Sequence, residues 1–468
     1  MINLKSSLLP YQVDAFEKLR NIRIGALYFE MGLGKTRTAL EFIVQRYTAG
    51  KINNVLWLCP CSIKDGIRSN ISEHADGADF IHIYGIESLS QSDRLYLKFL
   101  DMASKTKTML VVDESNLVKN HFAKRTSRIQ AIGELCPYRM ILNGTPISKN
   151  EADLFAQWYL LDKRILGYNS FWSFAANHLE YDDYGKIRRC LNVDYLTQKI
   201  APYSYTIKKD ECLKLPKKKY FTEYFDLNET QFWEYDRVKN ILLAEVDEFD
   251  STTIYKLFTA LQQVTSGRYI ANFKPLRSEP MFDNPHDNPR MSALLEDVQS
   301  FDDDKIIIWC KYVHEIQDAD EVLRAKYGND STSLFYGDIK VKNRDSQIQR
   351  FRDKAQFLIA NKTCGGYGLN LQFCHSMIYY SNDFNWATRA QSEDRVHRIG
   401  QQYAVNISDI CARNKIDEMI SNNLYRKENL AEAFKRELKL NRNNIAAWLD
   451  GGKNDKNRVE SKGKTENN

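Results

Sequence analysis

The chain has 468 residues, 43% of them hydrophobic and 27% charged, a composition that argues against a disordered or fibrous protein; at this length two to four domains are expected. Lys and Arg number 66 against 61 Asp and Glu, giving a net charge of +5 that permits a nucleic-acid partner without arguing for one. Nine cysteines with no Cys-x-x-Cys pair argue against a zinc ribbon or a disulfide scaffold, and the absence of an apolar leader or a run of about 18 apolar residues predicts an intracellular, cytoplasmic chain that does not span a membrane.

The first predicted element is a short helix in Leu8-Leu9-Pro10-Tyr11-Gln12-Val13-Asp14-Ala15-Phe16. A glutamine ahead of a phosphate loop can satisfy both hydrogen-bonding edges of adenine. By itself, Gln12 reads as an ordinary exposed helical residue.

The apolar run from Ile24 to Phe29 reads as a buried strand, and Thr38 to Val44 as a helix. Between them lies Glu30-Met31-Gly32-Leu33-Gly34-Lys35-Thr36. A strand, a glycine loop and a Lys-Thr opening a helix together cradle phosphates. Backbone N–H groups and the helix N-terminus face the anion, the lysine reaches the β/γ-phosphates, and the hydroxyl ligates Mg²⁺. Phe29 stands where the strict pattern has glycine, so the match is to the shorter Gly-x-Gly-Lys-Thr form. A glycine turn with a surface lysine is the plain alternative for this stretch alone.

Asn54 to Cys59 reads as a strand ending at Pro60, and Phe80 to Tyr84 as another. Thr108 to Val112 then runs directly into Asp113-Glu114-Ser115-Asn116. Near-continuous β-branched runs separated by helical stretches imply a parallel sheet covered on both faces. Ligands bind such sheets at the carboxyl ends of the strands, where Lys35 and Asp113-Glu114 would meet. One carboxylate can hold a phosphate-bridging Mg²⁺ while the next polarises the attacking water. A strand-end Asp-Glu alone is commonly a solvated turn. The next strand, Tyr138 to Leu142, ends in Asn143-Gly144-Thr145-Pro146-Ile147, a third polar turn at the same edge.

From about Glu151 to Ala201 the chain turns aromatic and helical, as in Leu154 to Leu160 and Phe171-Trp172-Ser173-Phe174. These rings could stack on bases, but their helical spacing favours core packing. The lysines between Lys208 and Lys219 suit phosphates or a solvated face equally. Residues 227 to 267 read as helical, and the proline-bearing polar stretch from Ser278 to Pro289 as a linker.

A second strand–helix alternation starts at Lys305 and includes Leu334 to Asp338, Phe357 to Ala360 and Met377 to Tyr380. Among these strands lies Thr363-Cys364-Gly365-Gly366-Tyr367-Gly368-Leu369-Asn370-Leu371, a glycine-rich loop predicted to open a helix. Gln391-Ser392-Glu393-Asp394-Arg395-Val396-His397-Arg398-Ile399-Gly400-Gln401 follows. Spacing places Arg395 and Arg398 on one helix face, two guanidinium forks suited to a triphosphate. An Arg-rich surface helix would account for the arginines but not for the residues around them.

In this order the motifs resemble those of superfamily-two helicases, and within them the Swi/Snf-type DNA translocases. The likeness spans roughly residues 8 to 425. Leu9-Pro10-Tyr11-Gln12 is similar to the adenine-side glutamine motif, and Glu30 to Thr36 matches the family's Glu-Met-Gly-Leu-Gly-Lys-Thr. Asp113-Glu114 occupies the DEAH box, followed by Lys119-Asn120. Gly144 to Ile147 resembles motif III, Gly365 to Leu371 motif V, and His397-Arg398-Ile399-Gly400-Gln401 motif VI. There are departures as well. Ser115 and Asn116 replace Ala and His, Asn143 replaces Thr, Cys364 replaces Ala, and Phe384-Asn385-Trp386 stands for Trp-Asn-Pro.

The resemblance implies an α/β fold of two RecA-like parallel-sheet lobes with helical insertions between them, ATP between the lobes and DNA across them. The expected divisions are an ATP-binding lobe over 1–150, its helical insertion and extension over 151–277, and a linker over 278–290. A second lobe over 291–425 and a C-terminal helix with a disordered polar tail over 426–468 complete them. Lys35, Asp113, Glu114, Arg395 and Arg398 would be catalytic. Gln12, Met31, Gly32, Leu33, Gly34, Lys35, Thr36, Gly368 and Gln391 would bind the nucleotide, and Thr36 and Asp113 would hold Mg²⁺. The implied partner is duplex DNA bound without sequence preference, and a monomer is expected. The short insertions suggest a stripped-down motor of bacterial or viral type. The rival readings are a strand-separating helicase on single-stranded DNA or RNA, and a catalytically silent nucleic-acid scaffold.

Overall fold

A computed structural model describes residues 2–144, 151–182, 185, 187–213, 215–244, 251–301, 305–362, 369–427, 430–440, 445 and 449–450. Thr145-Pro146-Ile147, the glycine-rich stretch from Thr363 to Gly368, and the tail from 451, for which the sequence predicts disorder, lie outside the described residues. The chain divides into two compact units. One is Met1–Leu215 with the short segments Tyr367–Asn370 and His397–Gln401, and the other is the remainder.

The first unit carries, in chain order, α1 (Pro10–Leu19), β1 (Ile24–Phe29), α2 (Lys35–Thr48), β2 (Asn54–Cys59), β3 (Ile81–Gly85), β4 (Thr108–Asp113), β5 (Tyr138–Asn143), α3 (Ala152–Leu166) and β6 (Ser204–Ile207). These six strands form one parallel sheet in the order β6-β1-β5-β4-β2-β3. Every residue of β1 and β4 is buried. Alternate side chains feed opposite faces: Ala26, Tyr28, Leu110, Val112 and Ile141 enter one core, and Leu27, Phe29, Met109, Val111 and Leu142 the other. Two covered faces explain why these strands read as continuous apolar runs rather than alternating ones. Register aligns the strand exits, with Tyr28 opposite Asn143 and Asp113 opposite Leu142. The loop after β1, the acid pair after β4 and the end of β5 therefore emerge on one edge.

The aromatic stretch after β5 is mostly core. Phe155 and Phe174 are buried with ring centroids 5.2 Å apart, whereas Trp172 stays 66% exposed.

The second unit carries β7 (Lys218–Phe225), α4 (Ser251–Thr265), α5 (Pro289–Ser300), β8 (Ile306–Cys310), α6 (Val313–Tyr327), β9 (Thr332–Phe335), β10 (Phe357–Asn361), β11 (Ser376–Tyr379), α7 (Trp386–Glu393), β12 (Val405–Ala412) and α8 (Ile416–Tyr425). Its sheet is also six-stranded and parallel, in the order β7-β12-β11-β8-β10-β9.

Two expected boundaries change. The stretch 151–277 is not one extension of the first lobe, because the division falls after Leu215. β7 pairs with β12 over eight residues, Lys218 opposite Val405 through Phe225 opposite Ala412. The helices Glu229–Ala244 and α4 share a core with Ile416 and Ile420 of α8. Residues 278–290 are likewise part of the second unit rather than a free linker. Leu276–Pro280 pairs with Arg268–Phe273, and the prolines serve as helix starters. Pro285 opens a 3₁₀ turn capped by Asn284, and Pro289 opens α5, capped by the buried Asn288.

Candidate nucleotide site

The site begins where β1 runs out of sheet. Phe29 is its last residue, and the next N–H, of Glu30, donates to the Ile207 carbonyl at 3.1 Å. The Glu30 carboxylate in turn accepts the Lys209 N–H at 2.8 Å. From there the chain turns through Gly32 and Gly34, both left-handed with φ of 84° and 75°. Such a conformation strains any side chain. At Gly34 a Cβ would also lie 2.3 Å from Gln12 Nε2, so Gln12 would have to move off the loop. The backbone enters α2 at Lys35, with Thr36 in the first turn, so N–H groups without helical partners face the loop. Met31 packs beside the end of β5, where a Cβ on Gly144 would meet its Cγ at 3.4 Å.

Gln12 is buried rather than exposed and braces this loop. Its Nε2 donates to the Leu33 carbonyl at 3.0 Å while its Oε1 accepts the Leu9 N–H at 2.9 Å. Tyr11 OH donates to the same Leu33 carbonyl at 3.1 Å. A primary amide has two N–H donors and two lone pairs, so one of each remains available to a purine edge.

Lys35 Nζ donates to the Phe29 carbonyl at 3.1 Å, folded over the loop. At the end of β4, Asp113 is only 4% exposed. Burial, with the Glu114 charge adding to it, pushes its carboxyl up to about 7, and the nearby Lys35 ammonium opposes this. A buried acid beside a second acid is a site that a cation would relieve. The donors are hard oxygens, the Asp113 carboxylate and the Thr36 hydroxyl, which fit a divalent ion bound through one or two protein groups plus phosphate oxygens. No cluster of three or more metal-ligating His, Cys, Asp or Glu occurs among the described residues.

Glu114 has a left-handed backbone, φ 51° and ψ 56°, which costs a non-glycine residue about 1–2 kcal/mol. Its N–H donates to Asp113 Oδ1 at 3.0 Å, and its carbonyl accepts the Leu117 N–H at 3.0 Å. The strain sits at the exit of β4, beside the buried Asp113 carboxyl. Behind it lies a feature the sequence did not reveal. Ser115 Oγ donates to Gln157 Oε1 at 2.6 Å and accepts from Asn143 Nδ2 at 3.3 Å, all three side chains being buried. Ser115 and Asn143 stood out singly as departures from a family pattern, but no spacing announced that they meet, and Gln157 carried no signal.

The remaining candidates differ from expectation in two respects, the first being that Gln391 and Arg395 lie in the second unit whereas Arg398 groups with the first. α7 ends at Glu393, so Gln391 is helical while Arg395 and Arg398 lie in the turns after it. Successive i to i+3 bonds, Arg395 N–H to Ser392 O and Val396 N–H to Glu393 O, tighten the chain out of the α-helix. Arg398 Nη1 donates to the Leu369 carbonyl at 3.4 Å and to Asn370 Oδ1. α7 itself is clamped by Arg389, which pairs with Asp409 at 2.5 Å and Glu393 at 2.8 Å. Lys218 and Tyr220 of β7 hold the Glu393 carboxylate at 2.8 and 3.0 Å. Gly368 lies outside the described residues.

Two family descriptions match this chain. The SNF2-related domain covers residues 73–270 and the helicase conserved C-terminal domain residues 289–400. The chain belongs to the Snf2-type family of superfamily-two helicases. An uncharacterized ATP-dependent helicase of Mycoplasma genitalium is 26% identical to this Snf2-type chain over 443 residues, covering 89% of it and 41% of the relative. The chromodomain-helicase-DNA-binding protein 1-like of Mus musculus is 23% identical over 427 residues, covering 84% and 45%. The chain thus spans less than half the length of these curated relatives. Among solved structures, the SWI2/SNF2 ATPase core of Sulfolobus solfataricus with double-stranded DNA is 20% identical, with a TM-score of 0.41 and coverage of 96% of this chain and 95% of that one. No helix among the described residues is long and apolar enough to cross a membrane.

Proposed function

We propose that this Snf2-type chain is an ATP-driven motor that moves along duplex DNA. The observation that carries the reading is the convergence, on one edge of the first sheet, of the left-handed glycine loop, Lys35 and the buried Asp113 with Glu114 beside it. Such a set has one evident use, the hydrolysis of a nucleoside triphosphate.

In this reading the loop N–H groups and the start of α2 receive the phosphates, and Lys35 leaves the Phe29 carbonyl for the β/γ-phosphates. Thr36 and Asp113 would hold Mg²⁺, which would supply positive charge against the negative charge developing on the phosphates. Glu114 orients the attacking water or takes its proton. Gln12 offers its remaining donor and acceptor to adenine. Gln391, Arg395, Arg398 and Gly368 supply the remaining contacts to the nucleotide. Arg398 exchanges Asn370 for phosphate in doing so. Hydrolysis then reverses these contacts, and alternate grips on a phosphate backbone convert the cycle into a step. The expected partner is the DNA backbone, bound with strong salt dependence and little sequence preference.

The test is steady-state ATP hydrolysis without nucleic acid and with duplex DNA, single-stranded DNA or RNA. Stimulation chiefly by duplex, lost in Glu114→Gln, is the expected result. Preference for single strands would replace the duplex motor with a strand-separating helicase. Absence of hydrolysis under all four conditions would leave a silent scaffold.

A further inference from the structure

Glu114 is the residue the proposed chemistry aims, and its strained backbone must be held from both sides. On one side the Asp113 carboxylate takes its N–H. On the other, the very next side chain, Ser115, is locked into a wholly buried polar triad. Ser115 Oγ–H has one proton to donate, and it goes to Gln157 Oε1 at 2.6 Å. Its lone pair receives Asn143 Nδ2 at 3.3 Å. Gln157 is held in turn: its Nε2 donates to the Asp153 carbonyl one turn earlier in α3 at 2.8 Å, and the Asp153 carboxylate pairs with Lys119 at 3.4 Å. The serine, the asparagine and the glutamine are 0%, 1% and 0% exposed.

Polar groups at such burial are held tightly, because a rotated member leaves its partner unsatisfied with no water to replace it. α3 therefore reaches Ser115 through a hydrogen bond that tolerates little displacement. Ser115 is one peptide from the carboxylate that must meet the water.

We infer that Gln157 is a positioning residue for hydrolysis, acting through Ser115 to fix the backbone that aims Glu114. The inference rests on the hydrolytic reading of the site. It makes the orientation of α3 a determinant of the chemical step rather than of ATP binding, since neither Gln157 nor Ser115 belongs to the phosphate loop.

The variants Ser115→Ala, Gln157→Leu and the double variant carrying both separate aiming from packing. Each single change orphans a partner of the 2.6 Å bond, whereas the double change removes its donor and acceptor together, loses only the longer bond from Asn143, and is expected to be more stable than either single variant. The readouts are kcat and KM for ATP with saturating duplex DNA, together with the thermal midpoint. The inference predicts that kcat falls about tenfold or more in all three variants, as small misplacements of a catalytic group do. KM should stay within about twofold, since ground-state binding is untouched. The two losses should not add, because both break one link. A stable double variant with parental kcat would overturn the inference while leaving the ATPase reading intact. A rise in KM at constant kcat would overturn it too, as would a double variant that fails to fold, which would assign the triad to structure alone. A parental chain that hydrolyses no ATP would remove the reading and the inference together.

Discussion

The two units share an architecture, a six-stranded parallel sheet with helices on its faces, yet treat buried charge in opposite ways. In the second unit most buried ions are matched from within. Arg290, fully buried, lies 2.5 Å from Asp417 and 3.9 Å from Glu315, and donates to Ser266 at 2.6 Å. Glu315 also collects the N–H groups of Lys311 and Tyr312, both at 3.1 Å. In the first unit the carboxyl of Asp113 is buried against a like charge and pushed up to about 7. A fold can bury charge to fix itself or leave it undermatched for a ligand to complete. The same sheet edge does the first in one unit and the second in the other.

The comparison predicts which substitutions should damage chemistry and which should damage stability. Glu114→Gln keeps size and burial but removes the charge that activates water. Hydrolysis should fall about 10²–10⁴-fold with nucleotide binding retained, measured by steady-state turnover and by binding of a fluorescent ATP analogue. Arg290→Met should do the reverse. It keeps apolar contact with Phe225 and Tyr380, whose rings lie 5.2 and 5.5 Å from the guanidinium, but leaves Asp417 buried and uncompensated. Stability should fall by about 3–5 kcal/mol in chemical denaturation, with kcat per folded molecule much less affected. An Arg290→Met protein of normal stability would break the comparison. Gly34→Ala should come third. The left-handed backbone and the contact with Gln12 Nε2 both oppose a methyl group, so the loop should shift and KM for ATP should rise about tenfold while unfolding changes by only about 1–2 kcal/mol.

The parts of this molecule that local chemistry dictates were legible from the chain. β1 and β4 are buried on both faces, and only apolar runs can be; the glycine loop needs its glycines because two of them are left-handed. Features that depend on distant partners were not legible. β7 opens in the lysine run Lys217–Lys219 and leaves most of its residues exposed, and only pairing with β12, about 190 residues later in the chain, makes it a strand. The prolines near 285 look like a linker until Asn284 and Asn288 are seen capping the turns they start. The helix bearing Gln391 shows no glycine or proline before Gly400, so nothing local announces its end at Glu393. The bond from Ser115 to Gln157 spans 42 residues and leaves no periodic trace.

The smallest predicted effect tests one exception within the second unit. Lys362 is buried with its amine on neutral acceptors, the Ser381 carbonyl at 3.2 Å and Asn382 Oδ1 at 3.4 Å. Burial lowers the amine to about 8; Asp383 offsets this in part, while Arg389 adds to it. An unfolded lysine stays protonated to about 10.4, so between roughly 8 and that value the unfolded chain binds more protons than the folded one. Folded stability of the parent should therefore rise across this window through Lys362, while Lys362→Met removes the contribution. The stability of the variant relative to the parent should be highest at or below about pH 8 and decline as pH climbs, a trend that denaturant midpoints at pH 7, 8 and 9 would show as a shift of about 1 kcal/mol or less. A flat difference across that series would mean that the amine keeps its charge in the fold, and that the second unit matches Lys362 as fully as it matches Arg290.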